Sequence, residues 1–402
     1  MANAKKRRCM RTRSIHAGER PDPTTHASAP NLVMSTTYVI HDASAQFSAK
    51  GLGEDAPFVY TRWGNPTVRQ LEEKIADLES AEACVAFGSG MAAVLALFLH
   101  LLKSGDRIVV SDVAYAGVAE LARDTLPRLG IAVDTADFSD LDALRAAVRP
   151  GTRLVYAETP ANPILKITDL RAAAEIARRA GALLCVDSTF ATPVATRPIE
   201  LGADLVLHSL TKYMGGHGDA IGGSLAGKRE LIEALRTDTG IHGGGILSPF
   251  NAWLILRGIA TLPIRMAAHA DSALKVARFL EGRKGVAKVI YPGLPSHPQH
   301  DLARRQMENF SGMLAFRPAE GRAAAQKLAD RLKVIHYAVS LGHHRSLIFY
   351  IDTNEIQENS FRLTPRQLER YREFAGDGIF RMSVGLEDPE DLCEDLDQAL
   401  EA

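Results

Sequence analysis

The sequence predicts an α/β protein, with a large domain built on a mostly parallel sheet and a smaller α+β domain at the C-terminal end. Three observations carry the prediction. Short apolar runs alternate with longer helical segments between residues 63 and 256, as in successive βαβ units. From residue 257 the pattern changes to a long helical stretch followed by mixed strands and helices. The length, 402 residues, exceeds what one hydrophobic core usually supports and leaves room for two domains plus an arm.

Residues 1–62 read as an extended N-terminal arm, rich in Pro, Thr, Ser and Ala and without sustained helical period. Met1 to Ser14 carries Lys5, Lys6, Arg7, Arg8, Arg11 and Arg13 with no acidic residue, and no secretory apolar region follows, so a solvated basic arm is expected rather than a targeting peptide. Thr12 to Glu19 already reads as part of the folded protein. From Pro66 the periodicity becomes helical, with Val68, Leu71, Ile75 and Leu78 on one face. Strands are expected at Ala83–Phe87, Arg107–Ser111, Leu154–Ala157, Ala182–Asp187 and Asp204–His208. A long helix from Arg257 to Glu281 opens the C-terminal domain, 257–402. Strands at Val286–Tyr291, Gly312–Phe316, Val334–His336 and Ser346–Ile351 follow, then a helix at Pro365–Phe374. No internal repeat or low-complexity tract interrupts this order.

Composition narrows the function. Lys and Arg number 47 against 48 Asp and Glu, so no strong field draws nucleic acid or an acidic membrane, and small zwitterionic substrates suit the balance. Cys9, Cys84, Cys185 and Cys393 lie far apart without metal-ligand spacing, which argues against a disulfide framework or a zinc site and for a reducing, cytoplasmic setting. The longest apolar run, Met91 to Leu102, contains His100 and is too short to span a bilayer.

Chemistry gathers in a few segments. His208-Ser-Leu-Thr-Lys-Tyr-Met-Gly-Gly-His follows an apolar strand, and Lys212 at its end, flanked by hydroxyls and glycines, suits a Schiff-base amine beside a phosphate site; a solvated turn lysine is the plain alternative. Asp187 ends the preceding strand, where a carboxylate can hold a pyridine nitrogen protonated or, more simply, cap a helix. Phe87-Gly-Ser-Gly-Met-Ala-Ala places glycines between a strand and a helix, either as a tight turn or as an anion cradle at the helix N-terminus; it is neither a dinucleotide fingerprint nor a P-loop. Tyr60, Arg62, Tyr115, Asn162 and Arg381 add ring-stacking, hydrogen-bonding and carboxylate- or phosphate-binding groups.

Taken together, these blocks resemble the Cys/Met-metabolism family of pyridoxal 5′-phosphate (PLP) enzymes, which includes cystathionine γ-synthase, cystathionine γ-lyase, methionine γ-lyase and homoserine-ester sulfhydrylases. The resemblance runs over nearly the whole chain. It is carried by Thr12-Arg-Ser-Ile-His-Ala-Gly, Tyr60-Thr-Arg-Trp-Gly-Asn-Pro-Thr, Gly88-Ser-Gly-Met-Ala-Ala, Glu158-Thr-Pro-Ala-Asn-Pro, Val186-Asp-Ser-Thr-Phe-Ala-Thr-Pro, the Lys212 segment and Arg381-Met-Ser-Val-Gly-Leu-Glu-Asp. It implies the type I fold of PLP-dependent transferases, with 63–256 as the cofactor domain. It also implies a set of roles. Lys212 would carry the cofactor, Asp187 would meet the ring nitrogen, and Tyr115 would stack on the ring and act as acid or base. Gly90, Met91, Ser209 and Thr211 would bind the phosphate, with Tyr60 and Arg62 from a neighbouring subunit, and Asn162 would meet the phenolic oxygen. Ser340 and Arg381 would hold the substrate carboxylate. A homotetramer, a dimer of dimers, is the implied assembly.

The departures bear on substrate. Val339 stands where cystathionine γ-lyases and γ-synthases usually carry Glu, which favours an apolar or short distal end. Gly117 lacks the thiol typical of methionine γ-lyases, Gly240 and Ile241 replace their Lys-Asp, and Ser188 replaces an Asn. Ser346 to Asn354 departs from the family's His-Pro-Ala segment, so a distinctive outer wall is expected. The leading expectation is methionine γ-lyase-type elimination giving 2-oxobutyrate, ammonia and a thiol. γ-Replacement on an O-acylhomoserine and cystathionine cleavage are the alternatives. A non-catalytic regulator of the same fold would be expected to lack Lys212, Asp187 or Arg381, and all three are present. His217 is expected to stabilise its loop, and His343 and His344 to be exposed loop residues; His242 receives no role.

Overall fold

The computed structural model describes residues 8–41 and 57–401. Its larger sheet comprises β1 (Ala83–Phe87), β2 (Arg107–Ser111), β3 (Ala132–Ala136), β4 (Thr152–Glu158), β5 (Leu183–Asp187), β6 (Leu205–Ser209) and β7 (Gly223–Gly227), in the order β1-β7-β6-β5-β4-β2-β3. Every pairing from β6 through β5, β4 and β2 to β3 is parallel. Only β7 runs the other way, antiparallel to both β1 and β6. A smaller sheet in the C-terminal part holds β8 (Val286–Ile290), β9 (Met313–Pro318), β10 (His336–Tyr337), β11 (Leu347–Asp352) and β12 (Gly378–Ser383), in the order β10-β11-β12-β9-β8. The α/β class with a mostly parallel main sheet is therefore as the sequence predicts.

The parallel strands are buried on both faces because helices cover each side. Val109, Leu154, Val155, Leu184, Val186 and Leu205 are all fully enclosed, which is why these strands read as continuous apolar runs. Three strands escape sequence reading. β3 is a half-exposed edge strand with Asp134 and Thr135 in it. β7, Gly-Ser-Leu-Ala-Gly, has no bulky apolar pattern. The reason is steric: a Cβ on Gly223 would fall 2.2 Å from the Ser89 carbonyl oxygen, and one on Gly227 would fall 2.6 Å from that of Asp204. β12 mixes Arg381 into an apolar run. The strand expected at Val334–His336 is displaced to His336–Tyr337.

Helix boundaries follow local chemistry. In the first turn of α2 (Pro66–Glu79), Asn65 accepts from the Thr67 and Val68 amides and Pro66 needs no donor there. Leu71, Ile75 and Leu78 are fully buried on its inner face, with Val68 partly so. The helix expected from Arg257 to Glu281 is instead two, Pro249–Ala260 and Leu262–Leu280. Pro263 explains the break, since its ring cannot follow an unbroken helical turn and it has no N–H to donate.

Within the described part of the N-terminal arm, the stretch around Thr12 to Glu19 is folded as expected. Met10–His16 forms α1, and Arg13, read as part of a solvated basic arm, is buried and donates to Asp77 at 2.8 Å. Lys5, Lys6 and Arg7 lie outside the described residues. The buried Lys74 ammonium clamps α1 to α2 by donating to the carbonyls of Ser14 at 2.7 Å and Ile15 at 3.1 Å and to the Glu19 carboxylate. Lys74→Ala is therefore expected to cost about 3 kcal/mol, because it strands buried acceptors. A lower midpoint in urea unfolding is the readout, and an unchanged midpoint would refute the clamp.

Candidate active site

All main-sheet strands except β7 point their carboxyl ends to one edge, where open α/β sheets bind ligands. There, Glu158 ending β4 is the register partner of Asp187 ending β5. Phe87 ending β1 and Ser209 ending β6 both pair with Gly223 of β7. The turn Gly88-Ser89 and the Lys212 segment are thus brought together across one glycine. A cavity of about 750 Å³ opens at this edge, and its lining includes Gly90, Met91, Tyr115, Asn162, Asp187, Ser209, Thr211, Lys212, Ser340 and Arg381. Those ten sequence-predicted residues share one site.

One end of the cavity is built from backbone. α3 (Gly90–Leu101) starts at the cavity, and Ser89 caps it by accepting from the Ala92 amide at 3.0 Å. The earlier first-turn amides have no intrahelical acceptor, and the helix dipole favours negative charge there. A Cβ on Gly90 would stand 3.1 Å from that of Ser209, so the glycine lets the helix end approach the Ser209 hydroxyl. Thr211 is fixed by exchanging hydrogen bonds with Gly222 at 3.2 Å.

Asp187 lies at the floor. It accepts from the Thr189 amide at 3.0 Å and from the Tyr156 hydroxyl at 3.4 Å. Burial pushes its carboxyl up despite those bonds, so it gains from any cationic N–H brought to it. Beside it, Glu158 is held well above the usual carboxylate range by burial and by the Asp187 charge. Glu158 accepts from the Tyr115 amide at 2.6 Å and the Asn162 amide at 2.8 Å, tying two site loops together. Sequence reading gave Glu158 and Thr189 no role, although their place at the strand ends beside Asp187 is a usable signal.

The Lys212 amine donates to the Ser340 hydroxyl at 3.2 Å. Burial, and then the charge of Arg381, lowers its pKa from 10.5 to about 8. Arg381, on β12, donates to Asn162 Oδ1 at 2.9 Å and to the Val339 carbonyl at 2.7 Å, which fixes its guanidinium plane; burial lowers its pKa to about 10. Tyr115 stands at the rim, 48% exposed. A Cβ on Gly117 would fall 2.8 Å from its ring, so in this ring position the site of the missing thiol has no space for a side chain.

Tyr60 and Arg62 do not line this cavity. Tyr60 is exposed, Arg62 donates to the Ile241 carbonyl at 2.9 Å, and the guanidinium lies 5.6 Å from the Tyr60 ring centre. His217 Nδ1 donates within its own loop, to the Gly215 carbonyl 2.8 Å away; His242 is exposed. His343 and His344 are half-buried rather than exposed, and His343 meets Ser340 at 3.1 Å. The four cysteines lie unpaired, and no group of metal-ligating side chains occurs among the described residues. No helix among them is long and apolar enough to cross a membrane.

The residues present fit pyridoxal 5′-phosphate: a helix N-terminus and two hydroxyls for its phosphate, a buried carboxylate for its ring nitrogen, and an amine of lowered pKa for its aldehyde. Comparison with known proteins agrees. The model of the family described as Cys/Met metabolism PLP-dependent enzyme matches residues 11–401. The chain is 43% identical over 396 residues to O-succinylhomoserine sulfhydrylase of Pseudomonas aeruginosa, covering 97% of this chain and 95% of that one. It is 41% identical over 395 residues to L-methionine γ-lyase of Fusobacterium nucleatum subsp. polymorphum, covering 97% of each. The crystal structure of metB from Corynebacterium glutamicum superposes with a TM-score of 0.87 at 40% identity, covering 98% of each chain. The chain belongs to the Cys/Met metabolism family of PLP-dependent enzymes.

Proposed function

We propose that this enzyme eliminates the γ-substituent of methionine or a close analogue, giving 2-oxobutyrate, ammonia and a thiol. The carrying observation is the character of the cavity beyond the carboxylate anchor. Val339 occupies the position next to Ser340, and Phe349, Ile351, Ile356 and Phe361 continue the wall, a surface suited to a thioether and not to a distal ammonium. The acids on that wall are engaged. Asp352 accepts from the Asn354 and Glu355 amides, and Glu355 pairs with Arg322 at 2.7 Å.

In this reading Arg381 and the Ser340 backbone amide hold the substrate carboxylate, leaving the Ser340 hydroxyl to Lys212 and His343, while Asn162 orients Arg381 and reaches the phenolic oxygen. When bound, the cofactor supplies an electron sink for the charge left at Cα. Asp187 would keep the ring nitrogen protonated. Gly90, Met91, Ser209 and Thr211 would hold the phosphate. Lys212 would hold the cofactor through its amine, and that amine, its pKa lowered by burial, would take the α-proton. Tyr115, at the rim, delivers a proton to the departing sulfur. Tyr60 and Arg62 act in a neighbour's site, which their absence from this cavity supports, within a cytoplasmic homotetramer arranged as a dimer of dimers.

A second reading, γ-replacement on an O-acylhomoserine, is favoured by Gly117 and by the likeness to the sulfhydrylase. Purified, cofactor-loaded protein given L-methionine alone separates the two. Release of 2-oxobutyrate with matching methanethiol is expected; loss of both would move the assignment to replacement chemistry.

A further inference from the structure

The mechanism above leaves one contact of Lys212 unused. Its amine donates to Ser340 Oγ at 3.2 Å, and Ser340 Oγ lies 3.1 Å from His343 Nε2. The histidine is seated by backbone. Gly218, at φ +74°, lies so close that a Cβ there would fall 2.8 Å from the imidazole ring. Gly342, at φ +74°, presses the same loop onto Lys212, where a Cβ would stand 3.1 Å from that of Lys212. Three side chains from two loops therefore form a continuous hydrogen-bonded line from the cavity floor to a half-buried ring.

We infer that Lys212, Ser340 and His343 form a proton relay that exchanges the Lys212 proton with solvent, with His343 acting through Ser340 as a positioning and relay residue. The inference rests on Lys212 being the amine that moves the α-proton. Lys212 Nζ passes a proton to Ser340 Oγ as the Ser340 hydroxyl passes its own to His343 Nε2. His343 Nδ1 then releases a proton to water. One proton leaves the amine, one reaches solvent, and Ser340 ends unchanged; the reverse sequence reloads Lys212. This direction needs His343 as the neutral tautomer with its proton on Nδ1. The surroundings of the ring favour a neutral imidazole: burial, then Lys212 and the basic neighbours His344 and Arg345, lower its pKa, while Asp219 opposes them. His217 is further out, its ring 5.7 Å from that of His344.

The functional use is timing. A lysine that keeps the abstracted proton can return it to the carbon it came from, whereas one that passes it on is neutral again and free to take the next. The test follows that proton. Cofactor-loaded protein is given L-alanine deuterated at Cα, which has the α-amino and α-carboxyl groups but no γ-leaving group, and loss of deuterium to water is read by proton NMR. His343→Gln, which can still hydrogen-bond to Ser340 but does not titrate, is expected to slow washout about tenfold. In His343→Gly, added imidazole is expected to restore it.

Washout lost in Lys212→Ala but unchanged in His343→Gln overturns the relay alone. Washout that survives Lys212→Ala overturns the Lys212 assignment and the relay with it. A second readout needs no turnover. In the full chain without cofactor, the His343 ring signal, identified by its absence in His343→Gln, is expected to titrate at higher pH once Lys212→Ala removes the neighbouring charge. An unmoved titration also overturns the relay.

Discussion

Lys212→Ala is expected to take up cofactor without linking it and to lose turnover by at least about 10³-fold, since it removes both a nucleophile and a general base. The absorbance of the lysine-linked cofactor would vanish while the protein stayed folded, because the side chain lies in a solvent-connected cavity and not in the core. Retained turnover with unchanged absorbance would remove Lys212 from the mechanism. The wild-type amine carries its own pH signature. Only the neutral amine attacks an aldehyde, and burial with the Arg381 charge lowers its pKa from 10.5 to about 8. Covalent capture of cofactor by the cofactor-free chain should therefore accelerate as pH rises through about 8, not near 10.5. Because the Arg381 charge favours the neutral amine, neutralising that position should move the midpoint upward.

Arg381→Ala is expected to lower kcat/KM by about 10²- to 10³-fold, the range for truncating one partner of a buried, hydrogen-bonded ion pair. In the protein the guanidinium is held in plane by the Asn162 side chain and the Val339 carbonyl, so it can present its remaining donors to a carboxylate as a fork. Arg381→Lys should recover only part of the loss, since an ammonium cannot keep both tethers and also bind a carboxylate in two places. A substrate analogue lacking the α-carboxylate should discriminate the cause. It should bind wild type poorly and lose little more in the variant. If it loses as much as the natural substrate, Arg381 acts through the fold and not through the carboxylate.

Much of this site is legible in the sequence because its parts lie at the ends of apolar runs. Asp187 ends one strand that a reader can mark, Ser209 and Lys212 come at or just after the end of another, and a parallel sheet brings such ends to one edge. Glu158 ends such a strand too, but a lone Glu at a strand end has many ordinary explanations, and only its two amide partners reveal that it ties the Tyr115 and Asn162 loops. β7 was hidden for the opposite reason, since the glycines that let it fit erase the strand pattern. The division of Arg257 to Glu281 into two helices was signalled by Pro263, which periodicity alone outweighed. His343 reads from sequence only as an exposed loop residue. Its contact with Ser340 depends on a left-handed turn at Gly342 and on the space left by Gly218, neither of which leaves a periodic mark.

The seating of β7 has a practical side for anyone redesigning this enzyme. Gly223 sits opposite both Phe87 and Ser209 and leaves no space against the Ser89 carbonyl, so the Ser89 turn and the Lys212 segment are aligned by a residue outside the cavity lining. A library that varies the outer wall from Phe349 to Phe361 can alter which side chains are accepted while this alignment stays untouched. A library that admits even alanine at position 223 would spend its diversity on proteins whose cofactor sits out of true.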